Sequence, residues 1–164
     1  MTDTTAPKFG FAEAELRNQS TVYAPDLFKG QVVVVTGGGG GLGLAIAALF
    51  ARLGATLAIC GRNEEKLATG AAFLRSFGGE VLTRQLTIRD PEQCAAFIDE
   101  VHEKFGKLDV LVNNAGGQFP QPAIDYSVKG WNAVIDTNLN GTWWMMQSTA
   151  KKWVDAGQPG NIVN

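Results

Sequence analysis

Val32-Val33-Val34-Val35-Thr36-Gly37-Gly38-Gly39-Gly40-Gly41-Leu42-Gly43 is the stretch on which the fold turns. Four β-branched valines with no polar interruption read as a central parallel strand covered by helices on both faces. Beyond the glycines, Leu42, Ile46, Leu49 and Leu53 recur at steps of four, three and four and predict one apolar helical face. The turn between strand and helix then presents a helix N-terminus. Its free N–H groups and the positive end of its dipole favour a phosphate, and missing Cβ atoms let a pyrophosphate come close. A flexible linker has no reason to join a valine strand to a patterned helix. Two spacings fit the run: Gly38-x-Gly40-x-x-Gly43, the general dinucleotide fingerprint, and Thr36-Gly37-x-x-x-Gly41-x-Gly43. Spacing does not choose between them. No Lys-Ser/Thr follows the last glycine, so the run is not a Walker loop. Gly37, Gly39, Gly40, Gly41, Leu42 and Gly43 are the candidate cofactor residues here.

The whole chain has the bulk for one domain with a real core: 164 residues, 45% hydrophobic and 18% charged. A net charge of −2 without a long basic run argues against nucleic acid as the principal partner. Cys60 and Cys94 fall in apolar stretches without metal spacing, which suits buried, reduced thiols in a cytoplasmic setting and no metal site. The polar start carries neither a signal-peptide core nor a membrane span. Residues 1–22 read as a loosely held arm, and residues 23–164 as a dinucleotide-binding domain.

After the first helix, Ala55 to Cys60 predicts a second strand, and Gly61-Arg62-Asn63 the turn where an adenosine ribose should lie. An NAD site places Asp or Glu there to accept from the ribose 2′-hydroxyl. Arg62 cannot accept that bond but can pair with a 2′-phosphate and stack on adenine, which favours NADP(H) over NAD(H). Asn63 reads as a helix N-cap. Leu67, Ala71 and Leu74 form the next buried stripe, Glu80 to Thr87 a third strand, and Asp90-Pro91-Glu92-Gln93 a helix start with a capping box. Cys94, Phe97, Ile98, Val101 and Phe105 are that helix's apolar face. His102, the single histidine, has a surface or packing role, with no partner for metal or base chemistry. Leu108 to Val112 is a fourth strand running into Asn113-Asn114-Ala115-Gly116-Gly117. Alternating strands and helices imply an α/β, doubly wound parallel sheet of the Rossmann type, about five strands in all. Its ligands collect at the carboxyl ends of the strands.

Thr36-Gly37-x-x-x-Gly41-x-Gly43, Asn113-Asn114-Ala115-Gly116 and Asn138 within Asp136-Thr137-Asn138-Leu139-Asn140-Gly141-Thr142 together resemble the short-chain dehydrogenase/reductase family over residues 30 to 164. The resemblance implies that Gly37, Gly41, Leu42 and Gly43 bind pyrophosphate and that Arg62 takes the 2′-phosphate. It places Asn114, Ala115 and Gly116 along the adenosine and nicotinamide-ribose side, and makes Asn138 the catalytic asparagine holding a relay water. Thr87, before Ile88, stands where many members carry an Asp that contacts adenine; a hydroxyl retains hydrogen-bonding capacity there.

Gly116-Gly117-Gln118-Phe119, Pro122-Ala123 and Lys129-Gly130-Trp131-Asn132-Ala133-Val134 are most similar to the trans-2-enoyl-CoA reductase-like members. That similarity implies an acyl-thioester substrate. A reductase of 3-oxoacyl thioesters or other carbonyls, and a non-catalytic dinucleotide-binding module, are the alternatives. Trp143, Trp144 and Trp153 mark a packed helix or, as in related oligomers, a subunit interface, with core packing favoured; the resemblance implies a homo-oligomer. Gly160 to Asn164 reads as a fifth strand. The family's catalytic Ser and Tyr-x-x-x-Lys lie beyond such a strand, so the expectation is a chain cut short and without turnover of its own. Tyr126-Ser127-Val128-Lys129 has the wrong spacing and reads as a loop entering a helix.

Overall fold

A computed structural model of the chain describes residues 11–164. Five parallel strands form one sheet: β1 (Val32–Thr36), β2 (Thr56–Gly61), β3 (Val81–Gln85), β4 (Val110–Val112) and β5 (Asn161–Val163), in the order β3-β2-β1-β4-β5. The register pairs Val33 with Leu57 on one side and Val110 on the other. Period-two alternation sends successive valines to opposite faces. Val33 and Val35 meet α2 (Gly41–Arg52) and α3 (Glu64–Arg75) through Ala47, Ala51, Leu67 and Leu74. Val34, Ala58 and Cys60 meet α4 (Pro91–Phe105) and α6 (Thr142–Ala156) through Cys94, Phe97, Ile98 and Met145. Helices on both faces of a parallel sheet make it doubly wound, as the sequence predicts.

The predicted stripe of α2 is corrected in part: Leu53, at the end of the helix, is buried and Ile46 packs against the core as expected, but the rest of the buried face differs. Leu42 is 80% exposed, and the buried positions of the helix are Gly43, Ala47, Ala48 and Ala51. Small residues face the sheet because the start of α2 runs against backbone, where a leucine has no room. Leu67, Ala71 and Leu74 of α3, and Cys94, Phe97, Ile98 and Val101 of α4, are buried as expected. Phe105 is half-buried.

Residues 11–22 belong to the segment expected to be a loose arm; residues 1–10 of that expectation lie outside the described residues. Glu13–Asn18 instead forms a short helix, α1, with Leu16 buried. Arg52 of α2 donates to the carbonyls of Leu16 and Gln19, and the Arg17 guanidinium lies over the rings of Phe73 and Phe77. The short helix is held because Arg52 satisfies carbonyls that α1 is too short to satisfy alone, while Arg17 stacks on the two phenylalanines and donates to Ser76 Oγ.

Helix starts follow the sequence closely. Asn63 Oδ1 accepts from Lys66 N at 2.8 Å, and Asp90 Oδ1 accepts from the N–H groups of Glu92 and Gln93. These amide bonds, that from Gln93 foremost, hold the Asp90 carboxyl below its usual range. Gln93 departs from the predicted box: its Nε2 donates to Asp90 Oδ2 and its Oε1 accepts from Thr87 N. The side chain thereby fixes the loop after β3 and not the cap's own amide.

On the other face, Trp153 Nε1 donates to Leu108 O at 2.6 Å, and Trp144 is half-buried, but Trp143 is 50% exposed. His102 is partly buried on α4, where burial and then the Lys152 charge lower its pKa. No helix among the described residues is long and apolar enough to cross a membrane.

Candidate functional site

The carboxyl ends of β1 and β4 are adjacent, and β1 also neighbours β2, so the strand order reverses direction here. A crevice opens at that switch point. Thr36, the last residue of β1, ties its two sides together. Its Oγ1 accepts from Ala115 N at 2.9 Å and lies 3.4 Å from Val112 O. The Thr36 carbonyl accepts from Asn114 Nδ2 at 2.8 Å. Asn114 is thus a brace across the strands, and its carboxamide roofs the glycine turn.

The glycine run now separates into roles. Gly37 sits at φ +70°, and a Cβ there would come within 2.9 Å of Asn114 Nδ2. A Cβ on Gly43 would collide with the Gly37 carbonyl oxygen and would stand 2.5 Å from Asn114 Nδ2. Gly41 also has positive φ, whereas Gly40 is extended with open space around it. Thr36-Gly37-x-x-x-Gly41-x-Gly43 is therefore the spacing whose glycines the backbone requires. Gly38 packs on Ile59, and Gly39 lies against the backbone of Lys66 and Leu67.

One cleft of ≈ 1040 Å³ lies over this turn. Gly37, Gly39, Gly40, Gly41, Arg62, Thr87, Ile88, Asn114, Ala115 and Gly116 all line it. Leu42 and Gly43, in the first turn of α2, do not line the cleft, and Leu42 is 80% exposed. Asn138 is not on the cleft wall itself. It occupies a π-helical turn, Asp136–Gly141, between α5 (Val128–Ile135) and α6. Its Oδ1 accepts from Gly117 N at 2.9 Å and its Nδ2 donates to Gly117 O at 2.8 Å. This reciprocal pair holds the carboxamide against the strand-end loop that follows Gly116.

Three cations line the cleft, Arg62, Lys66 and Arg89, against one carboxylate, Glu65. Sequence reading found Arg62 and passed over Lys66 and Arg89. Lys66 was detectable in principle, since it stands in the first turn of a helix whose cap, Asn63, was recognised. Among the described residues none of the three cations pairs with a carboxylate, so their charge is available to an anion. Positive φ at the turn, open space at Gly40 and Gly41, two helix N-termini (α2 and α3) and net positive charge fit a dinucleotide diphosphate. No cluster of metal-ligating side chains occurs among the described residues.

Cys60 borders the same cleft yet is fully buried, and burial pushes its thiol up to about 12 against the smaller opposing effect of the Gly37 amide. Cys94 is likewise pushed up to about 12. Thiols so protonated are poor nucleophiles. Native protein treated with iodoacetamide at mildly alkaline pH is expected to gain no adduct by intact mass, and to gain two after unfolding in urea. Rapid native labelling of Cys60 would mean that the base of the cleft is open.

Residues 31–164 match the family model described as short chain dehydrogenase. Among curated relatives, a probable 2,4-dienoyl-CoA reductase of Bacillus subtilis is 39% identical over 134 residues, covering 82% of this chain and 53% of that protein. The peroxisomal 2,4-dienoyl-CoA reductase of Arabidopsis thaliana is 37% identical over 84% of this chain and 46% of its own length. Among solved structures, a short chain dehydrogenase from Bacillus anthracis superposes with a TM-score of 0.78 at 43% identity, covering 81% of this chain and 55% of that one. An NAD+-bound xylitol dehydrogenase gives 0.81 at 32% identity, covering 84% and 53%. The chain spans about half the length of the curated relatives it matches.

Proposed function

The chain belongs to the short-chain dehydrogenase family, and from that premise we propose that residues 23–164 bind NADP(H) for an oxidoreductase acting on an unsaturated acyl-CoA thioester. The observation that carries the reading is the cleft at the β1/β4 switch point, with its glycine turn, its two helix N-termini and three cations that take no carboxylate partner among the described residues.

The bound coenzyme would supply a hydride. In this proposal the chain's residues bind and orient it. The amides of the turn from Gly37 to Gly43 take the diphosphate, and the Arg62 guanidinium takes the 2′-phosphate, with Lys66 adding charge from the first turn of α3. Thr87 and Ile88 form the adenine wall. Asn114, Ala115 and Gly116 line the path toward the nicotinamide ribose, and Asn138 holds a relay water beside Gly117. Reduction of a conjugated alkene or a carbonyl also needs a proton donor and an oxyanion partner, and a Ser with Tyr-x-x-x-Lys in the family's order does not occur in these 164 residues. The polypeptide is therefore proposed to bind coenzyme without turnover.

The substrate class follows from the curated relatives, whose names specify 2,4-dienoyl-CoA reduction, together with the Gly116-Gly117-Gln118-Phe119 stretch. Buried, protonated thiols accord with the cytoplasmic setting proposed here.

Fluorescence titration tests the coenzyme reading: NADPH is expected to bind at least about tenfold more tightly than NADH, an energy difference of about 1.4 kcal/mol. Equal affinities would remove the NADP(H) assignment. For substrate, protein extended to the length of its relatives is expected to oxidise NADPH with a trans-2-enoyl- or 2,4-dienoyl-CoA. Turnover with a 3-oxoacyl thioester alone would transfer the reading to carbonyl reduction.

A further inference from the structure

Arg89 lies in the loop after β3, on the same cleft wall as Thr87 and Ile88. It takes no carboxylate partner among the described residues, and its donors go elsewhere. Nε donates to Thr137 Oγ1 at 2.7 Å and Nη2 to Ala133 O at 2.8 Å. Thr137 Oγ1 itself donates to Ala133 O at 2.8 Å. These three groups form a closed knot at the junction where α5 passes into the π-helical turn. π-Helical turns are rare and recur at functional sites, and this one is tied down by side chains on two sides. Asn140 Nδ2, donating to Asp136 Oδ1 at 3.0 Å, braces the same turn from within. The residue after Thr137 is Asn138, whose carboxamide makes the reciprocal pair with Gly117.

We infer that Arg89 is a positioning residue for Asn138: it fastens the loop after β3 to the π-helical turn and so holds the Asn138 carboxamide at Gly117. The inference rests on the coenzyme reading of the cleft for its functional meaning. A guanidinium suits the task because its planar fork reaches two acceptors on one helical turn, whereas an ammonium presents a single nitrogen. Arg89 and Thr137 both border the cleft, and Arg89 joins the adenine wall to the turn that carries Asn138. A ligand ordering the loop would thereby order Asn138 as well.

The decisive measurement is the exchange rate of the Gly117 amide, whose proton points at Asn138 Oδ1, read by NMR in the free proteins. Arg89→Ala and Thr137→Val are each expected to raise it about tenfold while amides in β1 and β4 keep their rates, the pattern of a local opening. Arg89→Lys is expected to restore only part of the protection. Thr137→Val removes one hydroxyl at constant shape and serves where Arg89→Ala folds poorly. NADPH affinity of Thr137→Val should stay within about threefold of the parent, since the guanidinium and its charge remain.

Unchanged Gly117 exchange in both variants overturns the inference, and a fall of NADPH affinity confined to Arg89→Ala would then make Arg89 a coenzyme ligand. Full rescue by lysine, or faster exchange throughout β1 and β4, overturns it too. If the parent protein takes up no coenzyme, the proposed function falls, whereas the exchange comparison still decides what Arg89 does.

Discussion

Gly43→Ala is expected to cost about 3 kcal/mol of stability, the upper range for forcing atoms into a packed site, and to weaken NADPH binding about a hundredfold. The added methyl has nowhere to go: one neighbour is the Gly37 carbonyl oxygen and the other is Asn114 Nδ2. Neither is the free end of a flexible side chain, since Asn114 is held by the Thr36 carbonyl. Relief requires the turn to move away from the first turn of α2. Such a movement misaligns the amides proposed to meet the diphosphate, and charge-assisted bonds of that kind are worth about 1.5–3 kcal/mol each. Gly40→Ala is the control, because Gly40 is extended and faces open space. Its stability should lie within about 0.5 kcal/mol of the parent. Urea unfolding and NADPH titration of the two variants check this, and a Gly43→Ala protein as stable as Gly40→Ala would refute the packing argument.

Arg62→Asp is expected to lower the preference for NADPH over NADH about a hundredfold, or roughly 2.7 kcal/mol. The substitution removes a guanidinium able to pair with the 2′-phosphate and substitutes a carboxylate that repels it and can accept from a 2′-hydroxyl. Lys66 and Arg89 remain on the cleft, so NADPH binding should weaken without vanishing. Arg62→Ala, which adds no repulsion, should shift the preference about tenfold. Parallel titrations of both coenzymes give the ratio directly. A ratio unchanged in Arg62→Asp would assign the 2′-phosphate to Lys66 or to neither.

Much of this site was legible because its residues are required by backbone geometry. Gly37, Gly41 and Gly43 are forced by positive φ or by close approach, and Asn63 and Asp90 by orphan amides, so residue type and place coincide. The doubly wound parallel architecture followed from the alternation of apolar runs with capped helices, while the order of the strands came from the structure. What escaped reading has a physical pattern too. Of the periodic set Leu42, Ile46, Leu49 and Leu53, Leu53 is buried and Ile46 packs on the core but Leu42 is exposed, because periodicity weighs apolar bulk and that helix is apolar around much of its girth. Closeness to the sheet then selected glycine and alanines for the buried side. The third strand was read through Thr87, yet pairing with β2 ends at Gln85, opposite Gly61. Thr87 belongs instead to the loop pinned by Gln93. The Arg89 contacts span 44 and 48 residues, a distance at which local pattern holds no information. The docking of α1 rests similarly on arginines whose partners are remote in sequence.

Five consecutive glycines suggest slack, but Gly38 presses on Ile59, Gly39 on the backbone of Lys66–Leu67, and Gly70 of α3 on Gly39 in return. At Gly39 and Gly70 bare main chain thus meets bare main chain, and at Gly38 the contact is the β-branched side chain of Ile59 inside the sheet, so the seam has little room to rearrange. The disorder such a sequence has in the unfolded state is surrendered when the domain folds, well ahead of any encounter with a nucleotide. Uptake then meets a rigid receptor, with little ordering penalty charged against the affinity.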